Sequence, residues 1–170
     1  MNVPYDKIRI EKLTQLHDTE TFDCGIEALN QFVRRYALQN QRKDGAQTWA
    51  ALVGNRLVGY YTLTVGAVEI ADAPERLRKG LPKHPVPVMI LARLAVSKDR
   101  QGKRIGQGLL ADALRRTMSA ADIAGIRAIL VHAKDEAAAC FYRHFGFSPF
   151  PEAKHTLYWL LKDIRVMLHE

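Results

Sequence analysis

The stretch DRQGKRIGQGLL, residues 99–110, sets Gly102, Gly106 and Gly108 among Gln101, Lys103, Arg104 and Gln107, just where an apolar helical pattern begins. Glycine lets a backbone come close to a ligand. The first N–H groups of a helix have no partner inside it, and with the helix dipole they favour an anion. The adjacent Lys103 and Arg104 add positive charge. The chemistry open to this stretch is to hold phosphate oxygens on main-chain amides; the other reading is a surface turn that only caps a helix. Two familiar phosphate patterns do not fit. A Walker loop needs Gly-Lys-Ser/Thr, but Gly106 is followed by Gln107 and Gly108, and the glycines are spaced Gly-x-x-x-Gly-x-Gly rather than GxGxxG.

The elements that must position this stretch follow from periodicity. Residues 5–16 read as a short strand and turn. FDCGIEALNQFVRRYALQNQRK reads as a helix with Asp23 as N-cap and Ile26, Leu29, Phe32, Val33 and Tyr36 as its apolar face. Two β-rich runs flank Gly54-Asn55, a tight hairpin signal. Residues 71–85 read as a loop with a short helix. VPVMILARLAV (86–96) is a nearly continuous apolar run, as in a central strand buried on both faces, with Arg93 interrupting it. Leu109, Leu110, Ala113, Leu114, Met118 and Ala121 stripe the next helix. RAILVHA (127–133) reads as a buried strand and DEAAACFYRHF (135–145) as a helix stopped by Gly146. HTLYWLLK (155–162) reads as the last strand. The class is α/β or α+β, with helices covering a mixed sheet.

A chain of 170 residues is expected to form one domain, 1–170, with a real core. No apolar run reaches the ~18–20 residues of a membrane span, and MNVPYDKIRIEKL lacks a secretory signal, so the expected compartment is the cytoplasm. Cys24 and Cys140 form no CxxC pair and read as free buried thiols. The six histidines show no metal-ligand spacing, so no metal is expected. His132 reads as a satisfied structural histidine, Cys140 as a small packing residue and Glu136 as a first-turn helix charge. The net charge of +7 favours a polyanionic partner, although mild basicity is common.

A buried strand ending RLAV, followed by RQGKRIGQGLL at a helix start, resembles motif A of the GNAT N-acetyltransferases, usually written Q/R-x-x-G-x-G/A. FYRHFGF resembles that family's FYxxxGF helix end. The resemblance implies a central, mixed, largely antiparallel twisted sheet, splayed at the cofactor site, with helices on both faces. It implies acetyl-CoA as co-substrate, its pyrophosphate held by main-chain amides of Gln101, Gly102, Lys103, Arg104, Ile105, Gly106 and Gln107. A backbone N–H around Leu94, Ala95 and Val96 would polarise the thioester carbonyl, while those side chains pack. Tyr142 would give a proton to the departing thiolate, since a phenol and a thiol have comparable acidities. There is one departure. Arg104 replaces the first motif glycine; its N–H can still donate, provided its φ is unstrained.

A narrower likeness, through FDCGIEALNQFVRRYALQNQ, LVGYYTL and VHAKDEA, is to the TacT-like toxins of bacterial toxin–antitoxin pairs. It implies acetylation of the α-amine of aminoacyl-tRNA, a ribbon-helix-helix antitoxin as partner and a homodimer. An α-amine of pKa ~7.7–8.0 needs no strong base. Arg34, Arg35, Arg42, Lys43, Arg76, Arg78, Lys79 and Arg93 are the candidate tRNA surface. Two other readings stay open: transfer to a protein N-terminus or small amine, and a non-catalytic module that binds nucleic acid or a partner.

Overall fold

The computed structural model describes residues 7–169. Its seven strands are β1 (Arg9–Lys12), β2 (Gln47–Val53), β3 (Arg56–Val68), β4 (Val86–Val96), β5 (Ala128–His132), β6 (Ser148–Phe150) and β7 (Ala153–Leu160). They form one sheet in the order β1-β2-β3-β4-β5-β7-β6. β1–β2, β2–β3, β5–β7 and β6–β7 pair antiparallel and β4–β5 pair parallel, so the sheet is mixed as expected. The helices are α1 (Glu27–Gln31), α2 (Ala37–Arg42), α3 (Glu75–Arg78), α4 (Ile105–Ala121), α5 (Glu136–Phe145) and α6 (Leu161–Leu168). The chain divides into two compact units: residues up to Thr64 with Arg93–Ala113, and Val65–Ala92 with the residues from Leu114 on.

In the first unit, Leu13, Phe22, Phe32, Val33, Ala37, Leu52, Leu57 and Tyr60 make the core. Phe22 meets the Tyr60 ring edge-on at 5.7 Å, and the Tyr60 hydroxyl donates to the Leu29 carbonyl at 2.8 Å. The expected single helix over this region is interrupted. Between α1 and α2 the backbone makes a π-helical turn, Phe32–Tyr36, in which the Ala37 N–H bonds back to Phe32, five residues earlier. That wide turn advances the inward register by one residue. Ala37 is buried (1%) where a regular helix would have buried Tyr36, which is 51% exposed.

Asp23 is not the N-cap. The helix begins after Ile26, which has no capping side chain. Asp23 instead accepts from the Gly25 N–H (2.9 Å) and the Asn30 amide (3.0 Å), and buried Asn30 accepts from the Cys24 N–H (2.8 Å). These bonds, the Gly25 N–H first and the Asn30 amide next, hold the Asp23 carboxyl below its ordinary range. The hairpin turn is as expected, with Gly54 at φ +59° between β2 and β3.

The second unit packs Leu77, Val86, Val88, Ala128, Leu130, Tyr158 and Leu160. β4 spans the expected residues but is not buried on both faces throughout: Pro87 and Ala92 reach solvent. Arg127 donates to the carbonyls of Leu77 (3.0 Å) and Lys79 (2.9 Å), closing the end of α3. The last strand stops at Leu160. Leu161 and Ile164 are buried one helical turn apart, so the chain continues as α6 rather than as strand. The short β6 was not anticipated either. Cys24 is buried as expected, but Cys140 is exposed, on the outer side of α5.

Candidate functional site

In the first unit, the glycine stretch is anchored before it is presented. Ser97, buried, donates its N–H to Val58 (2.9 Å) and its hydroxyl to Asp99 (2.5 Å). That hydroxyl is the main reason the Asp99 carboxyl lies below its ordinary range. The Lys98 N–H bonds to the Asp23 carbonyl at 2.9 Å. The Gln101 amide reaches the carbonyls of Val96 (3.0 Å) and Cys24 (3.2 Å). The Gln101 side chain is thus a strut, and only its backbone is left for a ligand.

Beyond this anchor the backbone turns left-handed twice, at Gly102 (φ +80°) and Arg104 (φ +66°), with Lys103 between them at negative φ. Alternation of this kind makes successive N–H groups converge on an anion. The first α4 ladder bond runs from the Gly108 N–H to the Arg104 carbonyl at 3.1 Å, which leaves Ile105, Gly106 and Gln107 as the open first turn. Gly102, Lys103, Arg104 and Gln107 are exposed, while Ile105 is buried and pins the helix. The condition set for Arg104, an unstrained φ, is not met. Its backbone lies in the left-handed region that favours glycine, at a cost of about 1–2 kcal/mol.

Gly59 on β3 explains how α4 comes so close to the sheet. A Cβ there would lie 3.0 Å from Leu109 Cδ1 and 3.1 Å from the Ala95 carbonyl oxygen. On β4, Ala95 is buried and Leu94 and Val96 are half-buried, so their side chains pack. The β4–β5 ladder runs from Val88–Ala128 to Leu91–Val131, and β4 continues to Val96.

In the second unit, Asp135 caps α5 by accepting from the Ala138 N–H at 2.8 Å. The helix ends where the Phe147 N–H bonds Tyr142 O and the Gly146 N–H bonds Arg143 O, each at 3.1 Å, with Gly146 at φ +128°. This closure fixes Tyr142 edge-on to Phe147, centroids 5.4 Å apart. Tyr142 is 6% exposed, and burial alone pushes its phenol above the ordinary tyrosine range. Glu136 binds Arg143 (2.6 Å) and His155 (3.1 Å), and these bonds, Arg143 first, lower its carboxyl. His132 is exposed with its Nδ1 3.2 Å from the Thr156 hydroxyl, a satisfied histidine. Cys140 is not a packing residue; its Sγ accepts from the Arg143 guanidinium at 3.2 Å.

An acetyltransferase (GNAT) domain model matches residues 44–149, and that span includes the glycine stretch, the end of β4 and Tyr142. The chain belongs to the GNAT acetyltransferase family. It is 40% identical over 157 residues to the tRNA-acetylating toxin of Mycobacterium tuberculosis (strain ATCC 25618 / H37Rv), covering 92% of this chain and 94% of that protein. The structure of AtaT complexed with acetyl-methionyl-tRNAfMet is similar at TM-score 0.88 and 31% identity, over 95% of this chain and 99% of the other. A tyrosine-to-phenylalanine mutant of AtaT, solved with the C-terminus of the antitoxin AtaR and acetyl-CoA, is similar at TM-score 0.84 and 29% identity, over 97% and 100%.

The cations of this GNAT chain do not form one class. In the first unit Arg35, Arg42 and Lys43 are exposed. Arg34 is committed to the Phe22 carbonyl, and Arg93 lies over the Phe32 ring at 3.7 Å. In the second unit Arg78 and Lys79 are exposed, while Arg76 pairs with Asp163 at 2.8 Å. The anchoring roles of Ser97 and Gly59 were missed by sequence reasoning. Only the glycine inside an apolar strand run at position 59 was a usable signal, for close backbone approach. Among the described residues no cluster of His, Cys, Asp or Glu can hold a metal, and no helix is long and apolar enough to cross a membrane.

Proposed function

We propose that the protein transfers acetyl from acetyl-CoA to the α-amine of the amino acid on a charged tRNA, and that it acts as the translation-blocking toxin of a toxin–antitoxin pair. The observation that carries this reading is the left-handed pair Gly102 and Arg104 at the head of α4, in a chain so similar to a tRNA-acetylating toxin. The amides from Gln101 to Gln107 hold the coenzyme pyrophosphate. A β4 amide among Leu94, Ala95 and Val96 polarises the thioester carbonyl. The neutral amine forms its bond to the carbonyl carbon and the carbon–sulfur bond breaks. Tyr142 gives its proton to the leaving thiolate and regains one as the acylated amine loses its own.

Arg35, Arg42, Lys43, Arg78 and Lys79 meet tRNA phosphates; Arg34 and Arg93 support the surface from within. The chain works as one catalytic domain in the cytoplasm, forms a homodimer and is neutralised by a ribbon-helix-helix antitoxin. The non-catalytic reading drew its support from Arg104; the 40% identity to a tRNA-acetylating toxin over 92% of this chain argues against it.

The test is cell-free translation with purified protein and acetyl-CoA. Wild type is expected to stop synthesis, and Tyr142→Phe to restore most of it. Inhibition by the mutant equal to that by wild type would remove Tyr142 from the chemistry.

A further inference from the structure

We infer that Tyr36 is a stacking platform for an unpaired nucleobase of tRNA; the inference rests on the proposed tRNA substrate. The sequence pattern places Tyr36 in the core stripe, yet the π-helical turn rotates it outward to 51% exposure and buries Ala37 instead. Among the described residues it is the one aromatic side chain in the set of large exposed hydrophobics; the others are aliphatic, such as Leu16 and Ile123. A wide turn inside a helix costs hydrogen-bond geometry, and such turns recur at functional sites.

The surroundings select the occupant. From residue 28 to 43 the chain carries Arg34, Arg35, Arg42 and Lys43 and no Asp or Glu. Along α2, Gln39, Asn40 and Lys43 follow Tyr36 at helical spacings of three, four and seven, and all three are exposed. Gln41, by contrast, is tied to Leu13 and Thr48, which holds α2 on the sheet. The outer face therefore offers a ring, two amides and flanking cations. That is the chemistry of single-stranded RNA recognition, in which an aromatic ring stacks a base and cations take the phosphates. An acidic peptide would use the cations but would leave the ring without a matching partner.

The test measures KM and kcat for charged tRNA, and direct binding of uncharged tRNA, with wild type, Tyr36→Ala and Tyr36→Phe. Tyr36→Ala is expected to raise KM and weaken tRNA binding roughly 5- to 150-fold, with kcat and acetyl-CoA affinity little changed. Tyr36→Phe should stay within about three-fold of wild type, because the ring stacks and the hydroxyl does not. The salt slope of binding should be the same in all three proteins, since a stack releases no counterions. Binding by Tyr36→Ala equal to wild type would overturn the inference. So would a change of oligomeric state in Tyr36→Ala, which would give the ring to a second copy. If wild type transfers nothing to charged tRNA, the acceptor reading fails, and the binding arm with uncharged tRNA still decides the role of Tyr36.

Discussion

Burial keeps Tyr142 in its protonated form, the one the proposed proton donor needs, and at the same time makes the phenol a weaker acid than an ordinary tyrosine. A phenol in an apolar site keeps its proton, and here nothing but burial raises it. Removing only the oxygen, Tyr142→Phe, should lower kcat about 10²- to 10⁴-fold while acetyl-CoA affinity holds, as isothermal calorimetry and single-turnover rates would show. The pH–rate profile carries the same claim. The rate should climb between about pH 7 and 8 as the acceptor amine loses its proton. It should then stay level through pH 10, because a raised phenol remains protonated where an ordinary tyrosine would begin to ionise. An alkaline fall centred near pH 10 would contradict the assignment. Arg104 is the other decisive residue. Its left-handed φ suits glycine, so Arg104→Gly should stabilise the protein by about 0.5–1 kcal/mol, the relief of strain less the entropy of a freer unfolded chain. Denaturant unfolding measures this, and a loss of stability would mean that the guanidinium makes a contact outweighing the strain. The motif letters were legible at 101–106, but the conformation of Arg104 was not, because a non-glycine residue at positive φ has no sequence signature.

At the scale of elements, the close approach of α4 to the sheet depends on Gly59. Gly59→Ala must push Leu109 or the Ala95 carbonyl, and should cost about 1–3 kcal/mol in denaturant unfolding while weakening acetyl-CoA binding. Unchanged stability would show that α4 can ride outward freely. Strong periodicity made β4, α4 and α5 legible to within a residue or two. α6 was misread because WLLK continues the apolar run of β7, whereas the burial of Leu161 and Ile164 follows a helical spacing over only eight residues. The π-helical turn was hidden for a related reason. FVRRY fits a regular helix equally well, and it is packing of Ala37 rather than Tyr36 that selects the wider turn.

For the whole molecule, net charge was readable from composition, but the freedom of each cation was not. Arg34 and Arg93 count toward +7 yet are engaged with Phe22 and Phe32. The five exposed candidates, Arg35, Arg42, Lys43, Arg78 and Lys79, are the cations the proposed tRNA surface offers to phosphates. With contacts from these five alone, the log–log slope of tRNA affinity against salt should be no steeper than about −4 to −5. Each Arg or Lys→Gln change among the five that meets a phosphate should flatten it by about 0.7–0.9. A slope that none of these substitutions alters would place the RNA surface elsewhere. The most direct measurement is transfer of label from acetyl-CoA to a full pool of aminoacylated tRNAs. Label on the amino acid of a charged tRNA, absent with Tyr142→Phe, is the predicted result. Bound acetyl-CoA with no label on any charged tRNA, and label on free amines or peptides instead, would contradict it.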